Sequence, residues 1–283
     1  HGRIAAEGHA GIANNIRDEQ CTQRSACPAM SWLDANDAPP FTVEHAEGSS
    51  PYVLICDHAS RRLPSRLDRL GLSEEELETH IAWDIGAAGL AHRLADALDA
   101  FLIMTNYSRL AIDCNRPPES ADSIVARSER TEIPGNRDVP GDEAEARAIA
   151  LFHPYHDRIR AELDERRERG RPAALLALHS FTPVYHGVGR PWHAGVLYGR
   201  DSRLGRVLLE LLRAERGLNI GDNEPYAVSD RTDYSIPVHG EQRKLLHAGL
   251  EIRQDLIADA EGQIAWAARL APLLEQALAK LPA

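Results

Sequence analysis

Short apolar runs alternate with longer amphipathic stretches along most of this chain. The runs typical of strands are 51–57, 100–108, 173–180, 194–199 and 249–257. The stretches with the spacing of helices are 74–98, 142–169, 202–216 and 262–281. Strands that alternate with helices form mostly parallel sheets whose two faces are both covered. The pattern therefore predicts an α/β fold with a mostly parallel sheet and helices on both faces.

Local signals refine these elements and the domain limits. Ser73 precedes three acids and predicts the start of one or two helices over 74–98. Pro154 should kink the stretch 142–169 or begin a second helix there. The segment 115–141 has several prolines and glycines and predicts a long loop. Residues 1–40 lack a regular pattern, so we expect a poorly ordered leader over 1–40 and a single α/β domain over 41–283.

The composition narrows the class of protein. The chain has 283 residues, 43% of them hydrophobic and 27% charged, and a formal net charge of -11. This acidic balance argues against a general nucleic-acid binder. No stretch is long and apolar enough to span a membrane, and the N-terminal residues lack the apolar core of a secretory signal. We therefore expect a cytoplasmic protein that has neither nucleic-acid nor membrane partners.

The four cysteines also fit a cytoplasmic protein. They form no CxxC pair and no spacing typical of a disulfide framework. Cys56 and Cys114 lie in or beside apolar runs, where a reduced and buried thiol is the expected state.

Chemically active side chains collect where the predicted strands end. Asp57 and His58 follow one apolar run, His179 and Ser180 close another, and Glu251 interrupts a third. In open α/β sheets, ligands bind beyond the carboxyl ends of the strands. These side chains are therefore predicted to form one convergent site.

Two of these residues suggest a metal. His58 and His179 are neutral imidazoles at strand ends, and such pairs are natural zinc ligands. A catalytic zinc takes three protein ligands and leaves the fourth position to water. Asp57, Asp84 and His80 are the candidates for the third ligand. The alternative is that each histidine only caps or packs against its strand.

Glu251 could act as a general base beside a metal, and its alternative is a salt bridge with Arg253. The segment 107–118, "YSRLAIDCNRPP", brings arginines together with Asp113 and Asn115. Arg109 or Arg116 could stabilise an oxyanion or hold a substrate carboxylate. The alternative, expected for at least one of the two, is an internal pair with Asp113.

Seven segments in order carry a family resemblance. They are "LICDHAS", "HIAWDIGA", "YSRLAIDCNRP", "LHSFTPV", "GDNEPY", "TDYSIPVHGE" and "LEIRQDLI". Together they resemble the N-formylglutamate amidohydrolase family from about residue 38 to the C-terminus. The resemblance implies a fold similar to that of zinc carboxypeptidases and aspartoacylase, of the phosphorylase/hydrolase-like kind. That fold is a mixed, mainly parallel sheet with helices on both sides.

The resemblance also implies a Zn²⁺ cofactor and roles for individual residues. In carboxypeptidase-like sites a glutamate ligand follows the first histidine by three residues, but Arg61 stands there in this chain. The acidic ligand is therefore expected elsewhere, and Asp84 is the choice because "HIAWD" belongs to a block shared with the family. The resemblance thus implies His58, Asp84 and His179 as ligands, with Glu251 as the general base. A second departure is Lys244, which stands where the resemblance implies a glycine and is expected at the pocket rim.

The expected activity is zinc-dependent hydrolysis of the N-formyl, or another N-acyl, amide of an acidic amino acid such as N-formyl-L-glutamate. Arg109 is expected to assist catalysis. The expected substrate-binding side chains are Arg116, Arg253, Ser180, Asn115 and His239. The alternatives are a related metallo-carboxypeptidase, an N-acyl amino acid deacylase and a metal-free binding protein for acidic metabolites. The expected partner is a small-molecule N-acyl amino acid, and the sequence is compatible with a monomer or a homodimer.

Overall fold

The computed structural model describes residues 32–281, within which the chain forms eleven strands and six α-helices. The strands are β1 (Phe41–Glu44), β2 (Tyr52–Cys56), β3 (Phe101–Thr105), β4 (Arg127–Ser128), β5 (Thr131–Glu132), β6 (Ala174–Phe181), β7 (Val184–Tyr185), β8 (Val188–Gly189), β9 (Ala194–Leu197), β10 (Ile220–Asp222) and β11 (Leu246–Arg253). The helices are α1 (Glu74–Leu77), α2 (Ala87–Leu98), α3 (Gly141–Arg147), α4 (His153–Glu168), α5 (Arg203–Ala214) and α6 (Ala260–Ala279). Two π-helical segments, Ala148–Phe152 and Ile236–Glu241, complete the helical elements that bear on the site.

Seven strands form the central sheet in the order β1-β3-β2-β6-β11-β9-β10. Strands β3, β2, β6 and β11 run parallel to one another, as do β9 and β10. The pairs β1–β3 and β9–β11 are antiparallel. The prediction of a mixed, mainly parallel sheet is confirmed. Strands β4–β5 and β7–β8 form two small separate hairpins.

Alternating side chains of the sheet build two apolar layers. Leu54 packs in one layer with residues of α2, α5 and α6. Val53 and Ile55 face the other layer, which contains Phe152 and much of α4. Because β2 is buried at all five positions, its side chains alternate between two covered faces. The predicted helices on both faces are confirmed.

The predicted helix signals agree with the structure. Ser73 caps α1 through a reciprocal capping box with Glu76, and the stretch 74–98 forms the two helices α1 and α2. Pro154 lies in the first turn of α4, directly after the π-helical segment, so it begins a helix there as predicted. Cys56 and Cys114 are buried and free, as expected.

The domain includes residues that the sequence assigned to a leader. Trp32 is only 5% exposed and belongs to the apolar layer that contains α4. Its carbonyl accepts a hydrogen bond from Arg66, and the carbonyl of Ala38 accepts one from Tyr107. Residues 32–40 are therefore packed against the domain, which begins before residue 41. The rest of the proposed leader, with Cys21 and Cys27, lies outside the described residues.

Among the helices of residues 32–281, none has both the length and the apolar character that a membrane crossing requires.

Candidate active site

Three buried side chains meet at the carboxyl ends of β2 and β6. Oδ2 of Asp84 lies 2.8 Å from Nδ1 of His179 and 3.3 Å from Nδ1 of His58. One ligand atom from each residue lies within 4.8 Å of the other two. His58 follows β2, His179 lies within β6, and Asp84 stands in the turn before α2, where its N–H donates to the carbonyl of His58. The structure thus brings these three candidate ligands together.

Each imidazole faces a second carboxylate through its other nitrogen. Nε2 of His58 lies 2.7 Å from Oδ1 of Asp113. Nε2 of His179 lies 3.4 Å from Oδ2 of Asp57. Both histidines are therefore flanked by carboxylates on opposite sides of the ring. Asp57 was a candidate for the third metal ligand, but it lies on the far side of His179 from Asp84.

The carboxylates set the charge of the site. Burial alone would lower the pKa of His58 and His179, but the neighbouring aspartates outweigh it and raise both values. Burial would likewise raise the pKa of Asp84, and the two histidines hold it below its usual range instead. The charges of the two imidazoles and of their carboxylates thus offset one another within the buried cluster.

The donor set of this cluster fits a catalytic zinc ion. Two imidazole nitrogens and one carboxylate oxygen are a ligand combination that such ions use. All three residues are buried, so a bound ion would be shielded from bulk water on the protein side. His80, the remaining candidate ligand, lies outside the cluster, and its Nε2 is 3.7 Å from Oε2 of Glu129.

Glu251 lies beside the cluster on the neighbouring strand. It pairs in register with His179 across β11 and β6, and its Oε2 is buried with no hydrogen-bond partner among residues 32–281. Burial raises its pKa to about 7, the charge of Asp84 adds to this effect, and His179 opposes it. The alternative ion pair with Arg253 does not form, since Arg253 binds Asp255 at 2.7 Å.

Arg109 connects two carboxylates of the site. It donates to Oδ2 of Asp113 at 2.6 Å and lies 3.6 Å from Oδ1 of Asp84. The internal arginine–aspartate pair that the sequence offered as an alternative therefore exists for Arg109. Its side chain is still about one-quarter exposed, and it lines the cavity described next.

A cavity of about 460 Å³ opens over the cluster. Its wall contains the residues of the cluster, Glu251, Arg109, Arg116, Asn115 and Ser180. Arg116 donates to the carbonyls of Asn115 and Thr232 and makes no ion pair with a carboxylate of the described residues. The amide oxygen of Asn115 accepts the N–H groups of Tyr234 and Ser235, and the hydroxyl of Ser180 donates to the carbonyl of Ile85.

Two expected substrate-binding residues lie elsewhere. His239 is fully buried in the π-helical segment, where its Nε2 lies 2.9 Å from Nδ1 of His156, and it does not line the cavity. Arg253 is held by Asp255 and the carbonyl of Trp192 and does not line it either. The structure therefore places His239 and Arg253 outside the cavity wall, because neither the π-helical segment nor the end of β11 directs these side chains toward it.

Sequence reasoning missed three residues around the cluster. Asp113 was considered only as an arginine partner, yet it also binds His58. Tyr155 and Ser235 donate to Oδ1 of Asp57 at 2.9 and 2.8 Å. Ser235 lies within "TDYSIPVHGE", one of the motifs that carried the resemblance, so that motif was the available signal. No local pattern indicated Tyr155.

Comparison with known proteins identifies the family of this chain and supports its fold. The family model described as N-formylglutamate amidohydrolase matches residues 50–258. The crystal structure of gene product Atu2144 from Agrobacterium tumefaciens is 38% identical, with a TM-score of 0.85, and the match covers 88% of this chain and 98% of that chain. The N-formylglutamate amidohydrolase from Ralstonia eutropha JMP134 is 20% identical with a TM-score of 0.61, over 86% and 98% of the two chains, and it supports the fold alone. No curated protein sequence gives a significant match.

The fold, the site and the family match define a hydrolase that acts on an amide bond. The chain belongs to the N-formylglutamate amidohydrolase family, as its sequence motifs indicated.

Proposed function

We propose that this protein is a zinc-dependent amidohydrolase that removes the N-formyl group, or a related N-acyl group, from an acidic amino acid such as N-formyl-L-glutamate. The observation that carries the proposal is the meeting of two imidazoles and one carboxylate, with the unpartnered Glu251 beside them, in the wall of one cavity. Membership of the family supports an amide as the substrate.

His58, Asp84 and His179 would hold the zinc ion. When bound at such a site, zinc lowers the pKa of a water molecule and polarises a carbonyl. The chain itself orients the ligands. Asp113 accepts the Nε2–H group of His58, which leaves Nδ1 of that ring to face Asp84.

Glu251 would move the proton. Its free Oε2 takes a proton from the attacking water and later passes it to the nitrogen of the departing amine. A pKa raised to about 7 by burial suits both steps, because the group can accept and release a proton near neutral pH. Glu251 is only 6% exposed, so bulk water has little access to it.

The arginines would divide two tasks. Arg109 is fixed by Asp113 and Asp84, so it presents a positioned positive charge for the oxyanion that develops on the substrate carbonyl. Arg116 has only carbonyl partners and keeps its charge for a substrate carboxylate. Asn115 and Ser180 complete the polar wall that would orient this substrate.

Metal content and formate release test the proposal together. The purified protein should contain about one zinc per chain and release formate from N-formyl-L-glutamate, and a panel of N-acetyl amino acids and peptides should give lower turnover. The variant His58→Ala should lose both zinc and activity. His153→Ala is the matched control, because His153 is exposed on α4 and does not line the cavity.

Each alternative outcome has a distinct meaning. Faster turnover of peptides or N-acetyl amino acids would transfer the proposal to a carboxypeptidase or a deacylase. Binding of acidic ligands without zinc or turnover would identify a binding protein. Full zinc occupancy in His58→Ala would contradict the ligand assignment.

A further inference from the structure

Asp57 is a buried carboxylate to which the proposed reaction gives no role. It follows β2 directly, is 1% exposed, and its carbonyl accepts a hydrogen bond from the hydroxyl of Thr105. An isolated buried carboxylate is costly, so its surroundings should explain why it is there.

The two oxygens of Asp57 have unequal partners. Oδ1 accepts hydrogen bonds from the hydroxyl groups of Tyr155 and Ser235, both of which are completely buried. Oδ2 has no hydrogen-bond partner among the described residues and lies 3.4 Å from Nε2 of His179. Two donors from different parts of the fold therefore fix the carboxylate, and its free oxygen is directed at one histidine.

The position of Asp57 excludes a place beside Asp84 in the ligand cluster. Nδ1 of His179 faces Asp84, whereas Nε2 faces Asp57. The two nitrogens of an imidazole point away from each other, so Asp57 and Asp84 contact opposite sides of the ring. Asp113 stands in the same relation to His58, at 2.7 Å from its Nε2.

We propose that Asp57 is a positioning residue for His179, an inference that rests on the proposed zinc site. Tyr155 and Ser235 hold the carboxylate through Oδ1, and its Oδ2 accepts the Nε2–H group of His179. This contact fixes the tautomer and the ring orientation that leave the lone pair of Nδ1 directed toward Asp84. The separation is 3.4 Å, and a shift of a few tenths of an ångström would bring it to the length of an ordinary hydrogen bond.

This role gives Tyr155 and Ser235 a function as well. Tyr155 belongs to α4, and Ser235 directly precedes the π-helical segment. Through Asp57 these two elements determine the orientation of a ligand on β6. The site thus depends on packing in the layer beneath the sheet as well as on the strand ends.

Zinc affinity, measured with a competing chelator, tests the inference separately from activity. Asp57→Asn should weaken zinc binding about 10- to 100-fold, the loss typical when a partner of a metal-ligating histidine is removed. Tyr155→Phe keeps the carboxylate and removes one of its two donors, so it should weaken binding by a smaller factor. Ser235→Ala should behave like Tyr155→Phe.

Glu162→Gln is the matched control. Glu162 is a buried carboxylate on the same helix as Tyr155, but it binds Arg166 and Arg158. Its replacement should lower stability and leave zinc affinity unchanged. A variant that merely loosens the fold would therefore be recognised.

Three results would overturn the inference. Asp57 does not position His179 if zinc affinity stays within two-fold of wild type in all the folded variants, namely Asp57→Asn, Tyr155→Phe and Ser235→Ala. Loss of zinc from Asp57→Asn as complete as from His58→Ala would make Asp57 a ligand. An equal loss in Glu162→Gln would make the effect one of general stability. Absence of zinc from the wild-type protein would instead overturn the proposed function on which the inference rests.

Discussion

At the level of single residues, the carboxylates around the cluster differ from one another in their hydrogen-bond and charge partners. Asp84 and Asp113 are compensated by histidines and Arg109, so their pKa values lie below the usual range. Glu251 has a buried oxygen without a partner, and its pKa is raised to about 7. Groups with such opposed shifts in one cavity can take different chemical roles. Glu251, whose pKa lies near neutral pH, is therefore the carboxylate suited to exchange a proton.

Replacement of Glu251 should separate catalysis from binding. Glu251→Gln keeps the size of the side chain but cannot accept a proton, so kcat should fall about 100- to 10,000-fold, the usual contribution of a general base. Zinc content and substrate affinity should change little. Formate release and metal analysis on the same preparation check this. Glu129→Gln, which alters a carboxylate elsewhere in the cavity wall, should keep near wild-type turnover.

The pH profile gives a second measurement for Glu251. A general base must be ionised, so kcat/KM should fall as the pH drops through the pKa of this group. Burial raises that pKa to about 7, and a bound cation lowers it, so the acid limb should have its midpoint at or below pH 7. Near-full turnover in Glu251→Gln, or an acid limb well above pH 7, would contradict the assignment.

Arg116 and Arg253 make a matched pair for substrate recognition. Arg116 lines the cavity and has only carbonyl partners, whereas Arg253 is held by Asp255 outside it. Arg116→Gln should raise KM roughly 10- to 100-fold, because a hydrogen bond to a charged group contributes about 1.5–3 kcal/mol. Arg253→Gln should leave KM unchanged. Steady-state kinetics with N-formyl-L-glutamate check both, and a larger effect at Arg253 would reverse the assignment.

At the level of secondary structure, strong periodicity and helix start signals sufficed for the main elements. Ser73 and Pro154 lie at helix starts, and β2, β3 and β6 occupy the predicted apolar runs. Strands β1 and β10 were not predicted, because four and three residues are too short to establish an alternating pattern. Pro272 lies inside α6, where tertiary packing outweighs the tendency of proline to break a helix.

Lys244 illustrates a backbone requirement that the sequence did not reveal. The sequence placed it at the pocket rim, but it does not line the cavity. It adopts a φ of 58°, and its backbone N–H donates to the carbonyl of Glu241 in the turn before β11. The glycine implied by the family resemblance at this position therefore serves the turn.

Lys244→Gly should consequently stabilise the protein. A side chain in the left-handed region costs roughly 1–2 kcal/mol, and glycine loses about 0.5–1 kcal/mol of that advantage through chain entropy. The free energy of unfolding should rise by about 0.5–1 kcal/mol in a denaturant titration, with kinetics unchanged. Lys244→Ala keeps the Cβ atom and should give no gain. Equal stabilisation by both variants would locate the effect in the lysine side chain.

At the level of the whole molecule, the fold class followed from alternation of strands and helices, and the meeting of His58 and His179 followed from parallel strand ends. What could not be predicted are contacts made by residues far apart in sequence. Tyr155 reaches Asp57 across 98 positions and Ser235 across 178. Such contacts depend on how helices lie against the sheet, and no local pattern encodes them.

Removal of the proposed zinc ion should leave this molecule folded. The apolar layers lie on the two faces of the sheet, and the metal-free site is internally compensated by pairs of histidines and aspartates. Chelation should therefore leave the far-ultraviolet circular dichroism unchanged.

Zinc binding should still raise the melting temperature. At about 100 times its Kd, zinc that binds only the native state adds about 2.7 kcal/mol to the free energy of unfolding. For a domain of this size that corresponds to a Tm higher by roughly 5–10 °C. His58→Ala should show no such zinc-dependent rise, and collapse of the wild-type spectrum on chelation would show that the metal is needed for the fold itself.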